Sequence, residues 1–152
     1  MEDKYEAIKL KNQLCFPLYL CSKEIVNRYA PILDELNLTY TQYIVMMYFW
    51  ECGQSNIKEL SSKLLLDPST LTPLLKNLEK KGYISRIKLE SDKRNVIIAL
   101  TSEGDVLKDK ALSVPGKMGQ CIDLSEEEVK CLYSILYKVL RNIEKSEEKK
   151  ND

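Results

Sequence analysis

Asp67-Pro68-Ser69-Thr70-Leu71-Thr72-Pro73-Leu74-Leu75-Lys76-Asn77-Leu78-Glu79-Lys80-Lys81-Gly82 is the stretch that decides the fold. Aspartate followed by proline is a helix start: the carboxylate suits the N-cap and proline suits the first turn, where its missing N–H is no loss. Leu71, Leu74, Leu75 and Leu78 then recur at i, i+3, i+4 and i+7, which makes one buried stripe. Gly82 ends the run, where a left-handed cap costs little. The opposite face carries Ser69, Thr70, Thr72, Pro73, Lys76, Asn77 and Lys80. Hydroxyls and amides of this kind can read base edges, while lysines and the helix N-terminus favour phosphates.

On the C-terminal side, Tyr83 to Leu89 reads as a strand, Glu90 to Arg94 as a polar turn, and Asn95 to Leu100 as a second strand with Val96, Ile98 and Leu100 on one face. On the N-terminal side, Asn56 with Glu59 is a capping box that opens a helix bearing Ile57, Leu60 and Leu64. Leu38-Thr39-Tyr40 opens another helix that runs to about Cys52 and ends at Gly53. Farther out, Lys11 to Tyr29 reads as a first long helix, with Pro17 either in its first turn or at a kink, and Pro31 to Glu35 as a short one. Thr101 begins a helix that runs toward Val114 and stops at Pro115-Gly116. Ser125 and Glu128 form a capping box for a last long helix with Val129, Leu132, Leu136, Val139, Leu140 and Ile143, and the charged tail from Ser146 should fray.

The order helix, helix, helix, strand, strand predicts a mainly α fold with a small β-hairpin wing, a winged helix-turn-helix. We expect a single domain over 1–152, its DNA-binding part at 36–100, with flanking dimerisation helices at 1–35 and 101–149. Net charge is zero, so any nucleic-acid surface must be local. From Lys76 to Arg94 there are seven basic residues against three acids, a local excess of four positive charges. A solvated helix face and a charged hairpin would produce the same residues; the polar helix, the basic hairpin and the element order together favour DNA.

Composition excludes several classes. The chain has no histidine, which removes the usual general base near neutral pH, and it predicts no enzyme and no cofactor. Five cysteines (Cys15, Cys21, Cys52, Cys121, Cys131) form no CxxC pair, so no common zinc spacing is present and no metal is expected. The start Met1-Glu2-Asp3-Lys4 has no apolar core behind it, and no apolar run approaches the roughly 18 residues of a membrane span. We expect a cytoplasmic protein with no membrane partner, in which thiols stay reduced by default.

The helix of residues 67–81, with Asp92-Lys93-Arg94 and Leu100-Thr101-Ser102-Glu103-Gly104, resembles the MarR family of winged-helix dimers. The resemblance implies that this helix is the recognition helix and that Arg94, at the wing tip, enters the minor groove, steadied by Asp92. Asn12-Gln13-Leu14-Cys15-Phe16, then Tyr19, Tyr29 and Leu38-Thr39-Tyr40, narrows it to the OhrR group, repressors that sense organic hydroperoxides. The resemblance implies that Cys15 is the peroxidatic thiol, that Tyr29 and Tyr40 hydrogen-bond its sulfur across the dimer interface, and that Tyr19 sits near it.

The chemistry points the same way. A thiolate is the nucleophile toward a peroxide, and a helix N-terminus and phenolic donors both favour negative charge on sulfur. Leu14, Phe16 and Leu18 suit an alkyl hydroperoxide. The bland reading of Cys15 is a small buried hydrophobe. Cys21 and Cys52, inside apolar helices, read as packing residues, as do Tyr43, Tyr48 and Trp50; Tyr133 and Tyr137, an i, i+4 pair, read as dimer packing. Cys121, in a loop-like Gly-Gln-Cys context, could resolve the oxidised Cys15; Cys131 or a low-molecular-weight thiol could do so instead. The expected partners are double-stranded operator DNA, a second copy of the chain and an organic hydroperoxide. Two other readings stay open: a MarR-type regulator released by a small aromatic or phenolic ligand, with Cys15 incidental, and a thiol peroxidase.

Overall fold

The computed structural model describes residues 4–89 and 92–151, with side chains over 4–87 and 96–146. Two short 3-10 turns, Glu6–Ile8 and Leu10–Asn12, lead into α1 (Cys15–Asp34). There follow α2 (Tyr40–Cys52), β1 (Gln54–Asn56), α3 (Ile57–Leu64), α4 (Pro68–Lys80), β2 (Ile84–Leu89), β3 (Asp92–Leu100), α5 (Ser102–Ala111), α6 (Val114–Ile122) and α7 (Glu126–Asn151). The helix-turn-helix α3–α4 and the wing β2–β3 stand where the sequence puts them. The chain divides into two compact units, Met1–Lys117 and Met118–Asp152.

The first unit is built around α2, which is apolar on nearly every side and buries Tyr43, Val45, Met46 and Phe49. Against the same core lie Leu33 of α1, Leu60 of α3 and the stripe Leu71, Leu75 and Leu78 of α4, all fully buried, with Leu74 packed at its margin. Ile84 and Ile98 bring in the sheet. Its strand order is β1-β3-β2, antiparallel throughout, with Arg86 opposite Ile98 and Ser55 opposite Ile98 on the other side.

Caps fix where each helix begins. Thr39 and Gln42 close a capping box on α2, and Asn56 and Glu59 close one on α3. Asp67 holds the N-cap position of α4, yet its carboxylate caps nothing; its backbone carbonyl takes the amides of Thr70 and Leu71 at 2.9 and 3.0 Å. Gly82 has φ of 79°, the left-handed value expected of it.

Several expectations need correction. Pro31 does not start a new helix, because α1 runs through it to Asp34. Proline removes only the bond to the Asn27 carbonyl, and Asn27 and Pro31 are both exposed, so water can satisfy that group. Pro17 lies in the first turn of α1, as one alternative had it. Asp92, Lys93 and Arg94, expected in the polar turn, belong to β3 instead, and Glu90 and Ser91 lie outside the described residues. β1 was not foreseen: three residues give no alternation to read. Pro115-Gly116 does not end structure, for Pro115 is the second residue of α6, a tolerated place. The backbone of α7 stays helical to Asn151 rather than fraying at Ser146.

Candidate DNA interface and redox centre

The two faces of α4 separate cleanly. Its leucines go into the core, and Ser69, Thr70, Thr72, Pro73, Lys76, Asn77 and Lys80 are all exposed. The Thr72 hydroxyl donates to the Pro68 carbonyl at 2.7 Å, so its oxygen still has lone pairs facing outward. Not all of the local positive charge is available. Arg86 Nε lies 3.0 Å from Glu79 Oε2, an ion pair without hydrogen-bond alignment that ties α4 to β2. Lys81 turns inward and donates to the Asn37 carbonyl and to Gln42 Oε1. Lys76 and Lys80 form no ion pair among the described residues. The side chains of Asp92, Lys93 and Arg94 lie outside the described residues; their backbone opens β3.

Gly104 joins the wing to α5. A Cβ there would stand 2.1 Å from the Tyr83 carbonyl oxygen and 2.9 Å from Leu100 Cδ1, so only glycine lets α5 come this close to the base of β2. The Gly104 carbonyl accepts from Trp50 Nε1 at 2.8 Å, and Lys108 reaches the Trp50 carbonyl at 3.1 Å.

Cys15 is the first residue of α1 and is exposed. The segment before it folds back on itself. Asn12 donates to the Glu6 carbonyl at 2.7 Å and to Glu6 Oε1 at 3.1 Å, and Gln13 donates to the Ala7 carbonyl at 2.6 Å. Lys9, Asn12 and Lys11 together hold the Glu6 carboxyl below its usual range. No side chain caps α1, so the thiol stands at an uncapped helix N-terminus, where partial positive charge collects. Tyr19 follows one turn later, on the same face and exposed, as is Leu14.

Tyr29 and Tyr40 meet, with ring centroids 4.7 Å apart, and Tyr43 stands 6.0 Å from Tyr29. Burial raises the Tyr29 phenol above its ordinary value, with Tyr40 and then Tyr43 adding to the shift, and burial does the same to Tyr43. Tyr29 and Tyr43 therefore stay neutral and able to donate. Fourteen residues of helix separate Cys15 from Tyr29, about 21 Å along the axis at 1.5 Å per residue. Within one chain the thiol and the tyrosine pair are far apart.

Among the remaining cysteines, Cys131 lies on the last helix as expected, whereas Cys21, Cys52 and the setting of Cys121 differ. Cys21 and Cys52 are exposed rather than packed. Cys21 lies on the stretch of α1 that precedes the core, and Cys52 is the last residue of α2. Cys121 is in the last turn of α6 rather than in a loop, and Cys131 is on α7; both are exposed. Sequence reading missed Tyr43 as a member of the tyrosine cluster. It also missed the inward turn of Lys81, although Gln42, three residues after Thr39, carries a capping-box signature that would have located one end of that contact.

The chain matches the family model described as "Transcriptional regulator SarA/Rot" over residues 27–111. It is 43% identical to an organic hydroperoxide resistance transcriptional regulator of Bacillus subtilis, over 94% of this chain and 97% of that one. It is 41% identical to the transcriptional regulator SarZ of Staphylococcus aureus, over 92% and 95%. Among solved structures, AbfR of Staphylococcus epidermidis superposes with a TM-score of 0.73 at 33% identity, over 93% of this chain and 98% of that one. That protein has been solved reduced and bound to DNA, overoxidised and bound to DNA, and with its disulfide formed.

Proposed function

Because the chain belongs to the SarA/Rot family of transcriptional regulators, winged-helix proteins of the MarR type, we propose that it is a homodimeric repressor that senses organic hydroperoxides through Cys15 and then releases its operator. The observation that carries this reading is an exposed thiol at the uncapped first residue of α1, in a chain 43% identical to an organic hydroperoxide resistance regulator.

In the reduced dimer, two copies of α4 enter successive major grooves of a pseudo-palindromic operator. Ser69, Thr70, Thr72, Pro73 and Asn77 face base edges, Lys76 and Lys80 face phosphates, and Asp92, Lys93 and Arg94 serve the wing. The distance between Cys15 and Tyr29 within a chain supports contact across the subunit interface, so that Tyr29 and Tyr40 of one protomer serve the thiol of the other. Tyr19 flanks it.

The thiolate attacks the terminal oxygen of the hydroperoxide. The O–O bond breaks, the alkoxide leaves as the alcohol with a proton from solvent, and the sulfur becomes a sulfenic acid. A second thiol then forms an S–S bond to that sulfur and water departs. Cys121, Cys131 and a small thiol are the candidates for that step. The new sulfur substituent breaks the tyrosine contacts, the winged parts of the dimer shift, and affinity falls. By the likeness to the organic hydroperoxide resistance regulator, the repressed gene would encode a peroxide-detoxifying enzyme.

A gel shift on the gene's own upstream DNA tests this. Cumene hydroperoxide should release wild type and leave Cys15→Ser bound. Release of Cys15→Ser by the oxidant would name the wrong sulfur. Release by a phenolic ligand without oxidation would favour a ligand-sensing regulator. A dimer band on a non-reducing gel that vanishes in Cys121→Ser would assign the resolving thiol.

A further inference from the structure

The end of the recognition helix is pinned to the corner between α1 and α2, beside the tyrosine cluster. Lys81, which caps the C-terminus of α4, donates to Gln42 Oε1 at 2.9 Å and to the carbonyl of Asn37. Asn37 sits in the turn between α1 and α2 with a left-handed φ of 53°. Two residues on, the Tyr83 hydroxyl donates to the Leu36 carbonyl in the same corner. Gln42 is buried, and its Oε1 also accepts from the Thr39 amide, so one oxygen serves both the helix cap and the lysine. It lies between Tyr40 and Tyr43 in sequence, the two rings that join Tyr29.

We propose that Lys81 is a positioning residue that carries the redox signal, through Gln42 and Asn37, from the Tyr29–Tyr40 corner to the recognition helix. This rests on the sensing reading above. A shift of Tyr40 moves the first turn of α2, and with it the Thr39–Gln42 box. A long, solvated lysine would absorb that movement. Lys81 cannot do so freely, because its ammonium group is shared between two acceptors at the corner. Its partial desolvation also lowers its affinity for the proton, as expected of an amine drawn out of water. The neighbouring cations Lys76 and Lys80 point outward, so Lys81 holds the helix end while they are left for DNA.

The test uses the full-length protein. Lys81→Met keeps the aliphatic stem and removes the donor. It should bind operator when reduced about as wild type does, and its Cys15 should react with cumene hydroperoxide at the wild-type rate, read by mass spectrometry. The ratio of oxidised to reduced Kd should fall about ten-fold, the size of coupling that one charge-assisted hydrogen bond supplies. Lys81→Arg should restore part of that ratio. An unchanged ratio in Lys81→Met, with Cys15 fully oxidised, would overturn the coupling role alone. Failure of wild type to release DNA with Cys15 oxidised would overturn the sensing reading beneath it. Should Lys81→Met not fold, hydrogen exchange on wild type decides. Amides of residues 81–83, which close the end of α4 onto Asn77, Leu78 and Glu79, should exchange faster after oxidation, and equal exchange in both states would refute the proposal.

Discussion

Gly104 is the residue on which two parts of the fold depend. A methyl group there meets the Tyr83 carbonyl at 2.1 Å, and that oxygen is backbone that also accepts from the Thr101 amide at 3.1 Å. Gly104→Ala should therefore push α5 off the wing base and strain the Trp50 bond, costing about 2–3 kcal/mol in urea unfolding; a loss below half a kcal/mol would mean that α5 gives way easily. Tyr40 is the contrasting case. Its ring packs on Tyr29, while its hydroxyl makes no hydrogen bond among the described residues. Tyr40→Phe keeps the ring and removes only the donor. It should leave thermal stability nearly unchanged and slow Cys15 oxidation by about ten-fold, the worth of one hydrogen bond to a charged sulfur. Unaltered kinetics would detach Tyr40 from the sensing step. Alkaline stability follows from the same ring set. Tyr29 is raised above 10.0, so its contribution is fully present below pH 10 and is lost as pH rises through the folded value.

At the scale of elements, legibility followed the locality of the signal. The course of α4 could be read, since its leucine period, its proline and its terminal glycine all lie within sixteen residues, although the Asp67 carboxylate does not cap it as expected. The capping boxes of α3 and α7 were equally local, and both form, with Glu59 and Glu128 each returning to its cap. β1 was invisible because its only reason to be a strand is β3, more than forty residues away. The α6 helix was hidden by Pro115 and Gly116, which punctuate a sequence in either direction. At the site, the outward face of α4 and the place of Cys15 at a helix start were legible, whereas the inward turn of Lys81 was not, because nothing near Lys81 in sequence announces Gln42. The same outward face makes a prediction. Lys76 is exposed and unpaired among the described residues, so Lys76→Ala should weaken operator and random DNA alike. The slope of log K against log salt should flatten by about 0.9 if one phosphate contact is lost. An unchanged slope would take Lys76 off the phosphate backbone.

For the whole molecule, the question is what covers the apolar surface that one chain leaves open. Leu14, just before α1, and Leu18, Tyr19 and Leu20 within it are exposed, ahead of the part that enters the core. In α7, Leu132, Leu136, Leu140 and Ile143 follow one another at helical spacing, each between 37% and 51% exposed, and no residue of 126–146 is buried. A 26-residue helix with an apolar stripe and no core of its own is not a stable arrangement in water. A second copy of the chain would cover such stripes, and it would also close the gap of about 21 Å that separates Cys15 from Tyr29 within a protomer. Folding should then depend on concentration, each ten-fold rise in protein adding about 1.4 kcal/mol to the apparent stability of the dimer. Leu136→Glu with Leu140→Glu places two charges on the α7 stripe and should give a monomer by sedimentation at micromolar concentration. That monomer should lose operator affinity, since it presents one recognition helix instead of two. Its Cys15 should also oxidise more slowly, deprived of the partner's tyrosine hydroxyls. A dissociated variant whose Cys15 reacts at the wild-type rate would show that the thiol is activated within its own chain, by the helix N-terminus alone.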